Sequence, residues 1–307
     1  MLVRSNHSYL SFYGYDCSGK RLLLFNIWYH IAFVYNLTGG LRQSIFINDQ
    51  LDNSVIPSVG LNPMMNIPLT IGNIQNLVNS EAYHGYIDQL SYSSRPKSSN
   101  EILDDATLVF YFAFNNNSFL DSGPNRIIGT SYNVILINDA LQFYQSFSYF
   151  QIETFILPNI DNASSSIALW INPSSTNSTS IVHVSNNFSC WNMISLNDQG
   201  HIILEYPQNQ TIMGPSVISN SWTHITQTYS INNGIKLYIN GTLFNQTYSS
   251  SSFSIDPSYT ITVGNCSQNC YVCDVNGTSY DGFIDEFRVY TRELNASNVQ
   301  KLTIQSK

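Results

Sequence analysis

The sequence predicts an all-β protein, an antiparallel β-sandwich of the jelly-roll type present as tandem modules. Three observations carry this expectation. Short runs rich in β-branched and aromatic residues alternate with turn signals, and no long stretch has helical periodicity. Four blocks of residues recur in the same order at a nearly constant offset. Finally, 43% hydrophobic residues in 307 positions supply enough apolar surface for one large or two mid-sized cores.

The repeat comes first because it organises the rest. Trp28-Tyr29-His30-Ile31 returns as Trp222-Thr223-His224-Ile225 at an offset of 194, and Phe46-Ile47-Asn48-Asp49 returns as Tyr238-Ile239-Asn240-Gly241 at 192. Ile71-Gly72-Asn73 returns as Val263-Gly264-Asn265 at 192, and Gly85–Leu90 returns as Gly282–Phe287 at 197. Since Met1 then corresponds to Ser195, residues 1–104 are expected to be an incomplete module holding only the back half. Residues 105–307 are expected to be a complete one, joined to the first through Asp104-Asp105-Ala106. Missing front strands predict unpaired sheet edges and exposed apolar residues such as Leu23, Phe25 or Phe33. The alternative is a smaller domain that closes on itself.

The elements of the complete copy follow in order. Thr107–Phe114 is a strand run, Asp121-Ser122-Gly123-Pro124 a turn, and Leu141–Ile152 and Ile167–Ile171 further strands. Asp198-Gln199-Gly200 reads as a hairpin turn. Trp222–Tyr229 and Ile235–Ile239 are strands joined by Asn232-Asn233-Gly234, and Asn240-Gly241 turns the chain again. Strict alternation in the closing strand places Phe283, Asp285, Phe287 and Val289 on one face and Ile284, Glu286, Arg288 and Tyr290 on the other. Ser98-Ser99-Asn100-Glu101 and Asn295-Ala296-Ser297-Asn298 each offer a cap for a single helical turn. In the first copy the apolar stretch Leu22–Tyr35, interrupted by Asn26 and His30, reads as buried strand.

Composition narrows the function classes. Only 10% of residues are charged and the net charge is −8, which cannot provide the positive field that phosphate backbones require. Nucleic acid is therefore excluded as a partner. No apolar run reaches the length of a membrane span, and no basic-then-apolar leader opens the chain; for a secreted protein the signal is expected upstream. Glycan acceptor sequons occur at Asn6, Asn36, Asn116, Asn162, Asn177, Asn187, Asn209, Asn240, Asn245, Asn265, Asn276 and Asn295, somewhat more than composition alone supplies. The second copy carries five more residues between Gly264 and Asp285 than the first has between Gly72 and Asp88, and this stretch holds Cys266, Cys270 and Cys273. With Cys190 they make an even set that permits two disulfides in three connectivities. One bridge is expected to reach Cys190, and Cys17 is left unpaired. A zinc site of the form Cys-x3-Cys-x2-Cys is the competing reading, but no histidine adjoins it and the sequons favour an oxidising compartment.

The Trp-x-His-Ile strand openings, Leu237–Gly241, Val263-Gly264-Asn265 and the closing Gly282–Leu294 together resemble the laminin-G-like, concanavalin A-like lectin/glucanase superfamily. The resemblance covers 107–305 and the back half of the module in 1–104. It implies two stacked antiparallel sheets, extracellular placement and binding of glycans or proteins, often beside a structural calcium ion. By that resemblance Asp121 and Asp285 are the candidate calcium ligands. The first copy has Gln89 and Leu90 where the second has Glu286 and Phe287.

Some superfamily members are glycoside hydrolases, and a retaining one needs two carboxyls about 5 Å apart. The laminarinase-type Glu-x-Asp-x-x-Glu run is absent, and the nearest acids are Asp104-Asp105 at the linker and Asp281, Asp285 and Glu286 in the closing strand. No catalytic residue is assigned. His30 and His224 read as hydrogen-bonded core histidines. Candidate sugar-stacking aromatics are Trp191, Tyr206 and Tyr238, each competing with a core role. The expected function is non-catalytic extracellular recognition or adhesion. The alternatives are a secreted glycoside hydrolase with an unusual site and a glycan-shielded structural spacer.

Overall fold

The computed structural model describes residues 2–12, 15–37, 42–57, 70–72, 83–153, 164–186, 190–206, 210–248, 259–266 and 279–304. The chain divides into two compact units, Met1–Ala106 and Thr107–Lys307.

In the first unit, β1 (Leu2–Arg4), β2 (His7–Phe12) and β3 (Tyr15–Ser18) form one antiparallel sheet. A second is built from β4 (Ile31–Asn36), β5 (Arg42–Ile47) and β6 (Gln50–Val55). Leu10, Cys17, Ile45 and Ile47 make a small core, with Leu23, Tyr29, Phe33 and Val55 partly buried against it. Only Phe25, at 81%, is exposed among the three residues expected to be so. The stretch Leu22–Tyr35 is strand only from Ile31 onward, in the half-buried β4. Asn26 turns the backbone into the left-handed region at φ 59, and Leu22, Leu24, Ile27 and Trp28 face solvent. Helix α1 (Ser99–Thr107) ends the unit behind a reciprocal cap. Ser98 N–H donates to the Glu101 carboxylate at 2.8 Å, and Glu101 N–H donates to Ser98 Oγ at 3.3 Å.

The second unit opens with β7 (Leu108–Phe112), β8 (Gly129–Tyr132), β9 (Val134–Ile137), β10 (Ala140–Phe143), β11 (Tyr149–Ile152) and β12 (Ser165–Pro173). It continues with β13 (Thr179–Ser185), β14 (Cys190–Leu196), β15 (His201–Tyr206), β16 (Gln210–Ser216), β17 (Thr223–Ser230) and β18 (Gly234–Ile239). The last elements are β19 (Thr242–Thr247), β20 (Thr260–Val263), β21 (Gly282–Tyr290) and helix α2 (Ala296–Ile304). One sheet runs β19-β18-β17-β12-β21-β10-β9, with β7 also on β21, and the other runs β16-β15-β14-β13-β20-β11-β8. Between them lies a single large apolar core. The two layers meet through rings such as Phe112 and Phe150, whose centroids are 4.9 Å apart and nearly perpendicular. Each such fully buried ring contributes about 2–3 kcal/mol through area removed from water.

Three local expectations need correcting. Leu141–Ile152 is two strands, β10 and β11, in different sheets; a turn between them is closed by Ser148 N–H donating to Gln145 O, with Phe147 at φ 63. Both closing helices run nine residues rather than one turn. Alternation in β21 is broken at Glu286, which takes φ 56 and inserts a bulge opposite β12. The bulge puts Ile284, Phe287 and Val289 together in the core and Glu286 and Arg288 outside it.

The two units share backbone devices that explain why these blocks repeat. His30 N–H donates to Asn48 Oδ1 and Asn48 N–H to His30 O, at 2.9 and 2.8 Å. His224 and Asn240 make the same clamp at 2.8 and 2.9 Å. Tyr83 N–H reaches Gly72 O at 2.8 Å, and Tyr280 N–H reaches Gly264 O at 2.9 Å. Asp88 Oδ1 and Asp285 Oδ1 each accept the next residue's N–H, and those residues, Gln89 and Glu286, both have positive φ. By sequence offset, β4-β5-β6 corresponds to β17-β18-β19 and β2 to β15. The first unit thus repeats strands from one end of each sheet of the second.

Candidate functional site

The register of the seven-stranded sheet assembles one polar row. Gln151 pairs with Thr130 and with Thr262, Thr262 pairs with His183, and His183 pairs with Asn192. Thr130, Gln151, Thr262, His183 and Asn192 therefore line up across β8, β11, β20, β13 and β14. Their strand neighbours Phe150, Ile152, Ile261, Val263, Val182 and Val184 point the opposite way, into the core. Polar residues on one face and aliphatic ones on the other is the pattern of a sheet with a single core-facing side; within the row His183 and Thr262 are themselves buried, and Thr130 is exposed.

One step along β8 and β11, Tyr132 and Tyr149 are directly opposite each other and stack, with centroids 5.4 Å apart and planes 21° apart. Tyr132 is 52% exposed. At the inner end of the row, His183 Nδ1 lies 3.1 Å from Asn192 Oδ1 and 3.5 Å from Cys266 Sγ. Burial holds His183 below its ordinary pKa, so the ring is neutral. Glu205, on the adjoining β15, takes the Asn192 backbone N–H and is pushed up by its own burial. His183 Nε2 and Thr262 Oγ1 are buried without a hydrogen-bond partner among the described residues. A stacked aromatic pair with one ring exposed, running into polar donors and acceptors, can hold a polar ligand with apolar faces.

The aromatics expected from the sequence are placed differently. Trp191 is 8% exposed, sits in the main core and meets Tyr259 edge-on at 5.1 Å. Tyr238 lies beneath α2 with Ala168, Tyr290, Leu294, Val299 and Leu302. Neither offers a ring face to a ligand, because both project toward packed layers. Tyr206 ends β15, and its side chain is outside the described residues. The Tyr132–Tyr149 pair was missed. Alternation in Tyr149-Phe150-Gln151-Ile152, with the polar side of the strand carrying a tyrosine, was the available signal.

The carboxylates serve the fold. Asp121 Oδ1 accepts the N–H groups of Tyr111 and Gly123 at 2.8 and 2.7 Å, and Oδ2 accepts Ile127 N–H at 2.9 Å. Gly123 is required there, since a Cβ would stand 2.9 Å from Asp121 Oδ1. Asp285 is buried, its Oδ1 taken by Glu286 N–H. Three of the four lone-pair positions of Asp121 are thus occupied by backbone donors, and Asp88 repeats the Asp285 contact in the first unit. In this structure Asp121 forms its turn and Asp285 supports the bulge. No cluster of three potential metal ligands occurs among the described residues.

Glu286 accepts the Tyr111 hydroxyl with both oxygens, at 2.9 and 2.8 Å, and pairs with Arg288. Both ionic side chains are almost wholly buried, and the Arg288 guanidinium lies 3.9 Å over the Tyr111 ring. Burial, ahead of the neighbouring charges, raises the Tyr111 hydroxyl well above its ordinary pKa. His224, also in a buried position, is lowered to about 3 by burial and by the Arg288 charge, and meets Trp170 edge-on. These are packed, committed groups.

Cys17 is a buried free thiol, whereas neither Cys190 nor Cys266 is free; Cys270 and Cys273 lie outside the described residues. Among the sequons, Asn116, Asn177, Asn240, Asn245 and Asn295 are exposed and Asn6, Asn36 and Asn265 half-buried; Asn162, Asn187, Asn209 and Asn276 are outside the described residues. No helix among the described residues is long and apolar enough to cross a membrane.

Residues 4–103 and 145–300 match the family model of the concanavalin A-like lectin/glucanases superfamily. No curated protein sequence matches the chain. Solved structures similar in fold include the binding domain of botulinum neurotoxin serotype D/C, 19% identical over 66% of this chain with a TM-score of 0.51. The receptor binding domain of botulinum neurotoxin D is 18% identical over 66%, with a TM-score of 0.50. This chain spans about half the length of each, 52% and 53%.

Proposed function

The chain belongs to the concanavalin A-like lectin/glucanase superfamily, and from that premise we propose that it is a non-catalytic extracellular recognition module whose ligand is a glycan held on the outer face of the seven-stranded sheet. The observation that carries this is the Tyr132–Tyr149 stack, with Tyr132 exposed and Tyr149 half-buried, beside the Thr130–Gln151–Thr262–His183–Asn192 row. Pyranose rings present an apolar face to an aromatic ring and a polar edge to amides and hydroxyls, and the row supplies both in sequence. A neutral His183, held so by its burial, suits a neutral sugar. Non-catalytic action is supported by what the closing-strand acids do, since Glu286 is bound by Tyr111 and Arg288 and Asp285 by a backbone N–H. Proteins as ligands, an adhesion role, N-glycans on the exposed sequons, and disulfides among Cys190, Cys266, Cys270 and Cys273 belong to the same reading of an extracellular protein. The test is a glycan array together with a reducing-sugar release assay on the full chain. Saturable binding without sugar release is expected. Release of reducing ends, or binding to no glycan, overturns the proposal.

A further inference from the structure

We propose that the first unit carries a strand-acceptor slot between β4 and the segment Gly85–Tyr92, and that its occupant is an extended polypeptide strand with the alternating aliphatic chemistry of β12. In the second unit, β12 pairs with β17 on one edge and with β21 on the other. The equivalents of those two flanking strands in the first unit are β4 and Gly85–Tyr92. Among the described residues β4 pairs only with β5, and Gly85–Tyr92 belongs to no sheet.

The slot has the form of a strand site with the strand removed. Gly85 and Gly282 have φ of 156 and 141, and Gln89 and Glu286 share the left-handed φ of the bulge. Trp28 and Tyr86 hold the mouth with centroids 6.3 Å apart, as Trp222 and Phe283 do at 6.4 Å around the end of β12. At Gly282 a Cβ would strike backbone, 2.3 Å from Asn172 O at the end of β12. At Gly85 the atoms nearest to the same Cβ belong to the Tyr83 side chain, at 2.9–3.1 Å, and not to backbone. The first unit keeps the glycine without the β12-type backbone that requires it in the second.

Exposure points the same way. Ile284, Phe287 and Val289 are fully buried in the second unit, whereas their equivalents Ile87, Leu90 and Tyr92 are 51%, 59% and 91% exposed. Similarly, β17 is buried along its length and β4 only half-buried. An open strand edge with apolar residues beside it binds a further strand through main-chain hydrogen bonds, with side chains at alternate positions giving specificity.

The probe is a fluorescent peptide of residues Ser165–Pro173 flanked by lysines, titrated into the full chain and followed by anisotropy. A control peptide carries aspartate in place of Ile167, Leu169 and Ile171, the residues that β12 turns toward the core. Saturable binding of the first peptide only is expected, weakened at least tenfold by Leu90→Asp or Ile87→Asp and kept by Leu90→Met. Both positions are exposed, so the aspartate variants fold, as circular dichroism will verify. Failure of the peptide to bind, or binding indifferent to Leu90→Asp, overturns the proposal. So does a dimer in sedimentation velocity that Leu90→Asp abolishes, because the occupant would then be a second copy.

Discussion

Replacing Glu286 with glutamine separates a structural carboxylate from a catalytic one. In the folded protein its two oxygens take the Tyr111 hydroxyl and the Arg288 guanidinium, with side-chain exposures of 6% for Glu286 and 5% for Arg288. Glutamine keeps the shape and can still accept from Tyr111, but leaves Arg288 as a buried charge with no counter-ion. Removing one partner of such a pair costs about 3–5 kcal/mol. For a unit of roughly 200 residues this lowers Tm by on the order of 10 °C. Scanning calorimetry of the full chain measures it directly. The double variant Glu286→Gln/Arg288→Met should recover most of the loss, because the stranded charge is gone, and the two substitutions should be strongly non-additive. A Glu286→Gln protein with wild-type Tm would refute the reasoning, and one that also lost a sugar-cleaving activity would identify Glu286 as a catalytic acid.

Other outcomes follow from the same structure. His224 titrates near 3 when folded against about 6.5 unfolded, so the folded state favours the neutral ring. The unfolded chain therefore binds more protons below pH 6.5, and stability is lost as pH falls from there toward 3. From pH 7 to 5 this histidine alone accounts for about 2 kcal/mol, which His224→Gln should remove from a calorimetric pH series; His183 and His30, lowered by burial, act with the same sign. Asp121→Ala strips three backbone donors of their acceptor and should cost about 3 kcal/mol. The loss should be equal in calcium and in chelator, and a calcium-dependent Tm rise in the wild type that the variant lacks would show Asp121 to be a ligand. Thiol titration of the denatured, unreduced chain should give one free group per molecule, Cys17. More than one would contradict disulfides among Cys190, Cys266, Cys270 and Cys273.

The fold was legible because its sequence blocks encode backbone requirements that few residues can meet. Asn240 and Asn48 supply both a left-handed φ and the amide that clamps a histidine two strands' length away in sequence. Gly264 and Gly282 sit where a Cβ would collide with Phe143 and with Asn172 O. The bulge at Glu286 was not legible, since glutamate has no preference for positive φ; one inserted residue brought Ile284 to the side of Phe287 and Val289 and broke the alternation predicted for the closing strand. Aromatic identity alone could not separate Trp191 and Tyr238, which face packed layers, from Tyr132 and Tyr149, which do not. The polar row depends on the register of five strands drawn from positions 130 to 262, and no local pattern specifies that. Two carboxylates credited with calcium are taken up by the turn and the bulge they stabilise, a role that the turn sequence at Asp121 already signalled.

The placement of the ligand on the outer face of the seven-stranded sheet is tested most directly by isothermal titration of the best array glycan into the wild type and into Tyr132→Ala/Tyr149→Ala. Each ring face contributes about 1 kcal/mol, so the double variant should bind at least tenfold more weakly while its circular dichroism and Tm stay close to wild type. Unchanged affinity in a folded double variant would contradict the account and move the site elsewhere on the molecule.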